Sequence, residues 1–574
     1  MNTIDLIVLC VTLLLIVTYG VYKSRSSRDL DGYFRGNQSM PWFLVLLSIM
    51  GTQASAITFI SGPGQAYTDG MRFVQYYFGL PLAMIVICIA FVPVFSRLNV
   101  YTAYEYLEKR FDLRTRTFTA VLFLLSRGLS TGVSIYAPAL ILSSIFGWNI
   151  YLTNLLMGGL LIIYTVSGGA KAVAYTQQLQ LFIIFGGLFL AGYMVVEMLP
   201  DGVGFTDALH LSGSMGKLNV ITTGFENGSF NWSDKYNIFS GLIGGFFLSL
   251  SYFGTDQSQV GRYLTAKNLN ESRIGLLMNG FVKVPMQFLI LLLGALVFSF
   301  YLFTSAPVFF NESGLDRLRQ SSKKDSVFWA EQNFAALSVE KSNAAILYSA
   351  ARKEGNSEKM AASIETLRET EKESGKIRKQ VISWMKSSAP GVDANDTNYI
   401  FLRFVVDFLP VGLVGLLVAI IFLAAWGSIA AALNSLASST IIDLHRRFKT
   451  KEMTVEEEFS WSRRYTFIWG VFCVLIACFA SELGNSLIEA VNILGSLFYG
   501  TILGIFLVAF WLKRVGAHAV FFAAILSQLT VFAAFQFTSI SFLWYNVLGC
   551  LVAFIGAWVF QLFARENENP ERAV

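Results

Sequence analysis

The feature that most constrains this chain is a series of apolar runs, each about 20 residues long, that recurs along its length. As a helix, such a run crosses a hydrocarbon layer ~30 Å thick. Of 574 residues, 54% are hydrophobic and 14% are charged, against about 25% charged in soluble proteins. We predict an all-α polytopic membrane protein with about 13 transmembrane helices. The candidate spans are 4–23, 40–62, 72–97, 117–146, 151–167, 174–199, 237–262, 275–304, 411–441, 466–481, 486–512, 517–536 and 541–564.

Loop charges predict the orientation. The first run has no basic segment before it and no small-residue cleavage site after it, so we interpret it as a span and not a signal peptide. Lys and Arg are concentrated in alternate loops, which places these loops in the cytoplasm by the positive-inside rule. We therefore predict an N-out, C-in topology. The basic loops are 24–39, 98–116, 262–274 and 442–465.

The stretch GTQASAITFISGPG, residues 51–64, interrupts an apolar run with small and polar residues. Broken helices survive at membrane depth only when they are buried in protein or line a watery cavity. Close helix packing would account for Gly51 and Ala54, but not for Gln53. An unwound helix exposes carbonyl oxygens and half-helix ends, which form ion and solute sites in secondary transporters. We predict such a break here, with 62–64 ending the half-helix at the outer side.

Polar residues also occur in the runs 247–264 and 422–443. Arg127, Lys283 and Glu489 are charged residues that lie inside predicted spans. Charges at membrane depth are rare, and they usually mark functional sites. Lys283 is one turn from a predicted cytoplasmic loop, so its amine either extends to the interface or faces a cavity.

Residues 313–395 differ from the rest, because they are rich in Lys, Glu, Ser, Asn and Ala. Their periodicity predicts one or two amphipathic helices, interrupted near Gly355 and ended near Pro390. We interpret this segment as a solvated cap between two spans. The alternative is a cap that binds a regulator or a partner.

Other function classes lack support in the sequence. The five cysteines all lie in apolar runs, and the three histidines form no cluster, so neither a disulfide framework nor a metal pattern is visible. We see no catalytic constellation in the spans and predict that the chain is not an enzyme. The net charge of +5 reflects basic loops, and we expect no nucleic-acid partner.

Several stretches, in this order, resemble the sodium:solute symporter family: DGYFRGNQSMPWF, the 51–64 segment, YTAYEYLEKRF, SIYAPALIL and DQSQVGRYLTAKNLNES. The resemblance implies a LeuT-type fold of two inverted five-helix repeats with broken core helices. The implied units are 1–39, a first peripheral helix and loop; 40–199, core helices 1–5; 200–236, an extracellular loop; 237–304, core helices 6–7; 305–400, a helical insert; 401–512, core helices 8–10; and 513–574, two peripheral helices and a short tail.

The resemblance also implies a sodium site between core helices 1 and 8. Its ligands would be the backbone carbonyls of Gly51, Ala54 and Ala424 and side-chain oxygens at 427 and 428. Ser428 matches this pattern. Residue 427 is Gly427, so one hydroxyl is missing, and a water or a neighbouring oxygen would have to replace it.

Some family members have a second sodium site, built on an aspartate and a further serine. The corresponding residues here are Gln177 and Ala431. A neutral amide cannot supply the negative charge that offsets the dehydration of a cation. We therefore predict that the second site is absent and that one sodium moves per cycle.

The family's sugar-binding residues are mostly replaced: Tyr77, Ser249 and Thr58 stand at their positions. Tyr252 matches the inner-gate tyrosine, and Lys283 matches a lysine that contacts substrate. The residues we predict to face the solute are Thr52, Gln53, Thr58, Gln75, Tyr76, Tyr77, Ser249, Lys283 and Asn492.

The resulting prediction is sodium-coupled symport of a small organic solute by alternating access. A carboxylate-bearing solute, either a sugar acid or a monocarboxylate, is favoured. A neutral sugar or polyol is the alternative, and a solute sensor or channel-like protein is the alternative of another class. We expect a multi-pass protein of the bacterial inner membrane, with the sodium ion, the solute and the lipid bilayer as partners and one chain as the functional unit.

Overall fold

The computed structural model of the protein describes residues 2–24, 38–98, 100–167, 170–388, 393–449, 453–480 and 486–563. Three sequence predictions fall on other residues and lie outside this description. They are most of the basic loop 24–39, the end of the insert at Pro390, and the C-terminal tail from residue 564.

The described residues are almost all helical. From the N-terminus the helices are α1 Thr3–Ser24, α2 Trp42–Gln53, α3 Ala56–Asp69, α4 Leu80–Val86, α5 Val92–Leu98, α6 Tyr104–Arg110, α7 Leu113–Phe146, α8 Ile150–Ser167, α9 Ala170–Glu197, α10 Phe205–Ser214, α11 Gly245–Thr255, α12 Gln257–Tyr263 and α13 Leu269–Phe303. One small antiparallel hairpin, β1 Phe225–Glu226 and β2 Ser229–Phe230, lies between α10 and α11.

The second half of the chain continues in the same way. Its helices are α14 Glu312–Arg319, α15 Lys324–Glu354, α16 Ser357–Ser388, α17 Thr397–Phe408, α18 Leu413–Ser439, α19 Arg446–Phe448, α20 Val455–Phe479, α21 Leu487–Trp511, α22 Ala517–Phe537 and α23 Phe542–Phe563. A 3-10 helix, Met71–Tyr77, precedes α4, and π-helical turns occur at Ile87–Phe91, Ser240–Gly244 and Thr440–His445.

Among the described residues, nine helical segments are long and apolar enough to cross a membrane. The bent pair α2 and α3, taken as one segment, is also long and apolar enough. This confirms the prediction of a helical, multi-span membrane protein. The segment Leu413–Phe448 is 94% buried over its most apolar window, whereas Phe542–Phe563 is only 28% buried. The helix α18 is therefore central, and α23 lies at the periphery.

The break in the first core helix lies at Ala54 and Ser55. The helix α2 ends at Gln53, α3 begins at Ala56, and their axes differ by 63°. Ala54 has φ −81° and ψ 81°, which interrupts the helical hydrogen bonding. The break therefore falls within the predicted 51–64 stretch, close to its N-terminal end.

The prediction that Gly62-Pro63-Gly64 ends the half-helix is wrong. All three residues lie inside α3, which continues to Asp69. The glycines permit close packing instead: a Cβ on Gly64 would lie 2.0 Å from the carbonyl oxygen of Thr397, at the start of α17. The helix ends at Gly70, whose φ of 75° favours glycine.

A second break separates α11 from α12 at Asp256. The carboxylate of Asp256 caps α12 by accepting hydrogen bonds from the backbone N–H and hydroxyl of Ser258, at 2.8 and 2.6 Å. The sequence showed that this span becomes polar at one end, but did not show that the helix breaks there.

The segment between α13 and α18 contains a long helical hairpin, α15 and α16, joined at Gly355 with φ 70°. These helices agree with the amphipathic pair predicted for the insert. Arg352 pairs with Asp207 of α10 at 2.5 Å, and the hydroxyl of Ser342 donates to the carbonyl oxygen of Phe303 at 3.0 Å. The hairpin therefore packs on the end of α13 and on α10.

Candidate functional site

A polar cavity lies where the two broken helices meet, and it has two adjoining lobes of about 60 and 90 Å³. Both lobes are lined by Gln53, Ser55, Arg127, Tyr252 and Val491. The first lobe is also lined by Thr52, Ser130, Thr131, Ser134, Ser428, Ile429 and Ala432. The second is also lined by Ile57, Thr58, Tyr76, Tyr77, Leu248, Ser249, Phe253, Ile488, Asn492 and Tyr499.

The break in the first core helix supplies one wall of this cavity. The first turn of a helix has backbone N–H groups without intrahelical partners, and the last turn has unpaired carbonyls. The last residue of α2, Gln53, lines both lobes, as does Ser55 immediately before α3. The buried Oε1 atom of Gln53 has no hydrogen-bond partner among the described residues. The break therefore presents unpaired polar groups to the cavity.

Arg127 is the cationic side chain of the lining. It lies on α7, is 9% exposed, and its guanidinium carbon is 5.9 Å from the ring centroid of Tyr252. Its Nε atom has no hydrogen-bond partner among the described residues. The sequence marked Arg127 as a charge inside a span, but our predicted site residues did not include it.

Two tyrosines form the boundary of the cavity near the break at Asp256. The Nε2 atom of Gln259 donates a hydrogen bond to the hydroxyl of Tyr252 at 2.7 Å. The hydroxyl of Tyr499 donates to the carboxylate of Asp256 at 3.0 Å. The position of Tyr252 between the cavity and α12 is compatible with the gating role that we predicted for it.

Further polar contacts join the neighbouring helices. The hydroxyl of Tyr76 donates to Asn492 at 3.1 Å. The side-chain oxygen of Asn398 on α17 accepts from the hydroxyl of Ser61 on α3, at 2.7 Å, and from the backbone N–H of Leu487 on α21, at 3.2 Å. Asn398 therefore joins α3, α17 and α21 beside the close contact of Gly64 with Thr397.

The predicted sodium ligands lie together where α2 and α18 face each other. Ser428 lines the first lobe, and its hydroxyl donates to the carbonyl oxygen of Ala424 at 3.0 Å. Gly51 and Ala54 are buried on α2 and at the break. Carbonyl and hydroxyl oxygens are ligands that suit a hard cation.

Gln177 of α9 extends into the space between these two helices. Its Oε1 atom accepts from the hydroxyl of Ser48 at 3.2 Å. Its Nε2 atom donates to the hydroxyl of Thr52, at 3.4 Å, and to the carbonyl oxygen of Gly427, at 3.2 Å. Ala431 is fully buried on α18. The neutral amide therefore connects α2 with α18 directly.

The structure does not place two of the predicted solute residues, Gln75 and Lys283, in the lining of either lobe. The amide of Gln75 binds the backbone N–H of Thr222 and the carbonyl oxygen of Tyr236, both at 3.1 Å, and so holds the loop before α11. Lys283 lies with its amine 5.4 Å from the ring centroid of Tyr77. The other predicted solute residues line the cavity. Ser130, Thr131 and Ser134 also line it, and we did not predict them from the sequence.

The amine of Lys283 is buried without a hydrogen-bond partner among the described residues. The same is true of both amide atoms of Asn279 and of Gln287, which lie one turn away on either side along α13. These three side chains form a polar stripe next to Tyr77. The spacing of four residues between them was a signal from which this stripe could have been predicted.

A helical membrane protein whose two broken helices meet at a polar central cavity has the architecture of a membrane transport protein. The chain belongs to the sodium:solute symporter family, whose model matches residues 33–321 and 380–530. The unmatched stretch between these ranges falls on α15 and on most of α16.

Two bacterial relatives match nearly the whole chain. It is 26% identical over 572 residues to the sodium/sialic acid symporter NanT of Aliivibrio fischeri, covering 99% of this chain and 95% of that protein. It is 25% identical over 550 residues to the sodium/sialic acid symporter SiaT of Proteus mirabilis, covering 95% and 92%. A solved structure of a Na⁺-coupled sialic acid symporter, substrate-bound and outward-open, superposes with a TM-score of 0.75 at 23% identity and covers 98% of both chains.

These similarities confirm the predicted family, the assignment to transport and not catalysis, and sodium as the associated ion. The structural match supports a transporter fold over the full length of the chain.

Proposed function

We propose that this chain is a sodium-coupled symporter for a carboxylate-bearing sugar acid, with sialic acid as the first candidate solute. The observation that carries this proposal is the position of Arg127. A buried guanidinium faces the central cavity, beside the helix break, with an unpaired Nε atom.

A buried cation without an anionic partner costs several kcal/mol. The nearby carboxylate of Asp256 is already bound by Ser258 and Tyr499. A guanidinium binds a carboxylate through two parallel hydrogen bonds, a geometry that a lysine cannot supply. A solute carboxylate at Arg127 would complete the site. The two sialic acid symporters among the relatives support this choice of solute.

The rest of the lining suits a polyhydroxylated solute, because it combines aromatic rings with hydroxyl and amide groups. We propose that the solute contacts Thr52, Gln53, Thr58, Tyr76, Tyr77, Ser249 and Asn492, which all line the cavity. The lobes, at about 60 and 90 Å³, are much smaller than the roughly 300 Å³ of the smallest usual ligand sites. Solute entry therefore requires a wider state, as alternating access supplies.

Sodium would bind between α2 and α18, at the carbonyls of Gly51, Ala54 and Ala424 and the hydroxyl of Ser428. In this mechanism, sodium holds the two helices together while the solute is bound, and both are released after the opposite side opens. The sodium gradient drives the cycle, together with roughly 2.3 kcal/mol per charge for each 100 mV of membrane potential.

The proposed architecture follows the sequence prediction. It comprises about 13 transmembrane helices, two inverted five-helix repeats, an N-out and C-in orientation, and one chain as the functional unit in the bacterial inner membrane. The broken pair α2 and α3 and the second break at Asp256 support the inverted repeat, since they place one broken helix in each of the two proposed repeats, 40–199 and 237–512 without the insert.

Uptake by proteoliposomes tests the proposal. We expect an inward sodium gradient to drive accumulation of radiolabelled sialic acid, and a potassium gradient of the same size not to do so. Accumulation of a neutral hexose with no response to sialic acid would instead favour a sugar symporter. Passage of solute without accumulation would indicate a channel.

A further inference from the structure

The missing hydroxyl at position 427 leaves a defined space next to the proposed sodium site. A Cβ built on Gly427 would lie 2.6 Å from Oε1 of Gln180 and 3.1 Å from Cγ of Gln177. Real Cβ atoms essentially never approach another heavy atom within 3.0 Å. A side chain at residue 427 would therefore displace the amide oxygen of Gln180 from its present position. An amide oxygen lies where the side chain of residue 427 would begin.

Gln177 and Gln180 are three residues apart on α9, so they extend from one face of the helix. The amide of Gln177 is held by Ser48, Thr52 and the carbonyl oxygen of Gly427. The side chain of Gln180 is only 3% exposed, so its amide is enclosed beside α18.

We infer that Oε1 of Gln180 is the ligand that replaces the missing hydroxyl at Gly427 in the sodium site. This inference rests on the sodium-coupled symport proposed above. A neutral amide oxygen is a suitable ligand for a hard cation, so the donor set is restored without an added charge. In this chain, glycine at 427 and glutamine at 180 form a compensating pair, and α9 joins α2 and α18 as a third contributor to the site.

The direct test is sodium binding to the purified full-length protein in the absence of solute. Thermal stability is measured while sodium replaces choline at constant ionic strength, and binding of ²²Na⁺ is measured in parallel. Gln180→Leu replaces the amide with an apolar side chain and so removes the oxygen. We expect it to raise the half-saturating sodium concentration about tenfold, as for loss of one polar contact to a charged group.

The compensating pair gives a second, stricter test. We expect Gly427→Ser alone to weaken sodium binding, because its Cβ collides with the amide of Gln180. The double variant Gly427→Ser with Gln180→Ala removes the collision and restores the hydroxyl, so it should bind sodium more tightly than Gln180→Ala alone. Equal affinity of these last two proteins would overturn the inference.

Gln528→Leu is the matched control. Gln528 is a buried glutamine of the peripheral α22, and its amide donates to the carbonyl oxygen of Leu497. This variant should lower the melting temperature without changing the sodium concentration needed for stabilisation. If Gln180→Leu does not fold, Gln180→Glu still tests the inference, because an added charge at a ligand should lower the half-saturating sodium concentration, and no change would refute it.

The two proposals fail in different ways. A wild-type protein that shows no sodium-dependent stabilisation contradicts sodium-coupled symport itself. A wild-type protein that responds to sodium, together with an unchanged Gln180→Leu variant, rejects only the role of Gln180.

Discussion

The side-chain amide of Gln177 donates a hydrogen bond to the backbone carbonyl oxygen of Gly427, with 3.2 Å between the two atoms. This bond joins α9 to α18 at the point where the resemblance to the family implies an aspartate and a second sodium ion. The neutral amide thus occupies the position at which the resemblance implies a carboxylate and a cation. This arrangement bears directly on the number of ions that the protein transports.

We expect one sodium ion to move with each solute, because Gln177 and Ala431 supply neither the carboxylate nor the hydroxyl of a second site. The measurement is the reversal potential of solute flux in proteoliposomes at set sodium and solute gradients. A coupling ratio of two would mean that a second site exists despite these residues. Gln177→Asp with Ala431→Ser is the matched variant, and sodium dependence with a Hill coefficient above that of the wild type is expected for it.

Ser428→Ala should raise the sodium concentration for half-maximal uptake about tenfold, since it removes a hydroxyl contact to a charged group worth about 1.5 kcal/mol. The maximal rate at saturating sodium should change much less. Uptake measured over a sodium titration checks this expectation. An unaltered sodium dependence would argue against the assigned site. Ser130→Ala, on α7 in the lining of the same lobe, serves as the control.

Arg127→Gln should weaken solute binding by about tenfold or more, because the guanidinium–carboxylate interaction is a charge-assisted contact of about 1.5–3 kcal/mol. Arg127→Lys should recover only part of the affinity, since an ammonium group does not bind a carboxylate through a planar fork. Isothermal titration at saturating sodium provides the affinities.

The methyl ester of the solute is the control ligand for Arg127. The wild-type protein should discriminate strongly against this neutral ester, and Arg127→Gln should bind the acid and the ester with similar affinity. Undiminished preference for the acid in that variant would place the carboxylate elsewhere in the cavity.

Gly64→Ala should retain solute binding but lose turnover. Its Cβ would lie 2.0 Å from the backbone oxygen of Thr397. The helix α17 would therefore have to move away from α3, and the close contact between these two helices could not form. Solute binding by calorimetry and uptake by proteoliposomes separate these two effects. Gly186→Ala on α9, where a Cβ meets no atom within 4 Å, should behave like the wild type. Normal uptake by Gly64→Ala would show that this contact is not required in the cycle.

The free energy of unfolding should decrease as the pH rises from about 4 to about 7. The cause is the buried carboxyl group of Asp393, in the segment between α16 and α17. The pKa of Asp393 is raised from 3.8 to about 7, chiefly by burial; a hydrogen bond from the backbone of Asn395 opposes the shift, and the charge of Asp396 adds to it. Between these two pKa values the folded protein binds a proton that the unfolded chain has already released, so the stabilisation is lost progressively up to about pH 7 and changes little above it.

Melting temperatures between pH 5 and pH 8 check this expectation. Asp393→Asn should remove the part of the pH dependence that Asp393 contributes, and the variant should exceed the wild type in stability most clearly at pH 8. A difference between the two proteins that does not change with pH would contradict the assignment.

The sequence predicted the helical membrane class because composition and run length directly reflect transfer from water to hydrocarbon. It also indicated the first helix break, since glycine, serine and glutamine at the middle of a span conflict with lipid exposure. The sequence also predicted the helical hairpin in the insert, because its amphipathic periodicity and Gly355 are local signals. The break at Asp256 was missed, because an aspartate near the polar end of a predicted span resembles the start of a loop.

The residues of the cavity were harder to predict. Gln75 was expected at the solute and instead holds a loop, because its hydrogen-bond partners, Thr222 and Tyr236, are about 150 residues away in the chain. The Gly62-Pro63-Gly64 sequence is usually found at helix ends, yet here the packing of α3 against α17 uses its small size inside a helix. Both outcomes depend on contacts that local sequence does not encode.

The sequence by itself determined that this chain spans a membrane with helices, that one of those helices is interrupted by polar residues, and that a few charges are placed within spans. Each of these follows from local composition and from the cost of exposing polar groups to lipid. Only the tertiary structure decided that Arg127 meets the break at Ser55, and that the amide of Gln180 occupies the space left by Gly427. Those contacts arise from the packing of helices that lie far apart in the chain. Which helices become neighbours depends on the fit of their shapes and on hydrogen bonds between their polar atoms, and neither is visible in the local sequence.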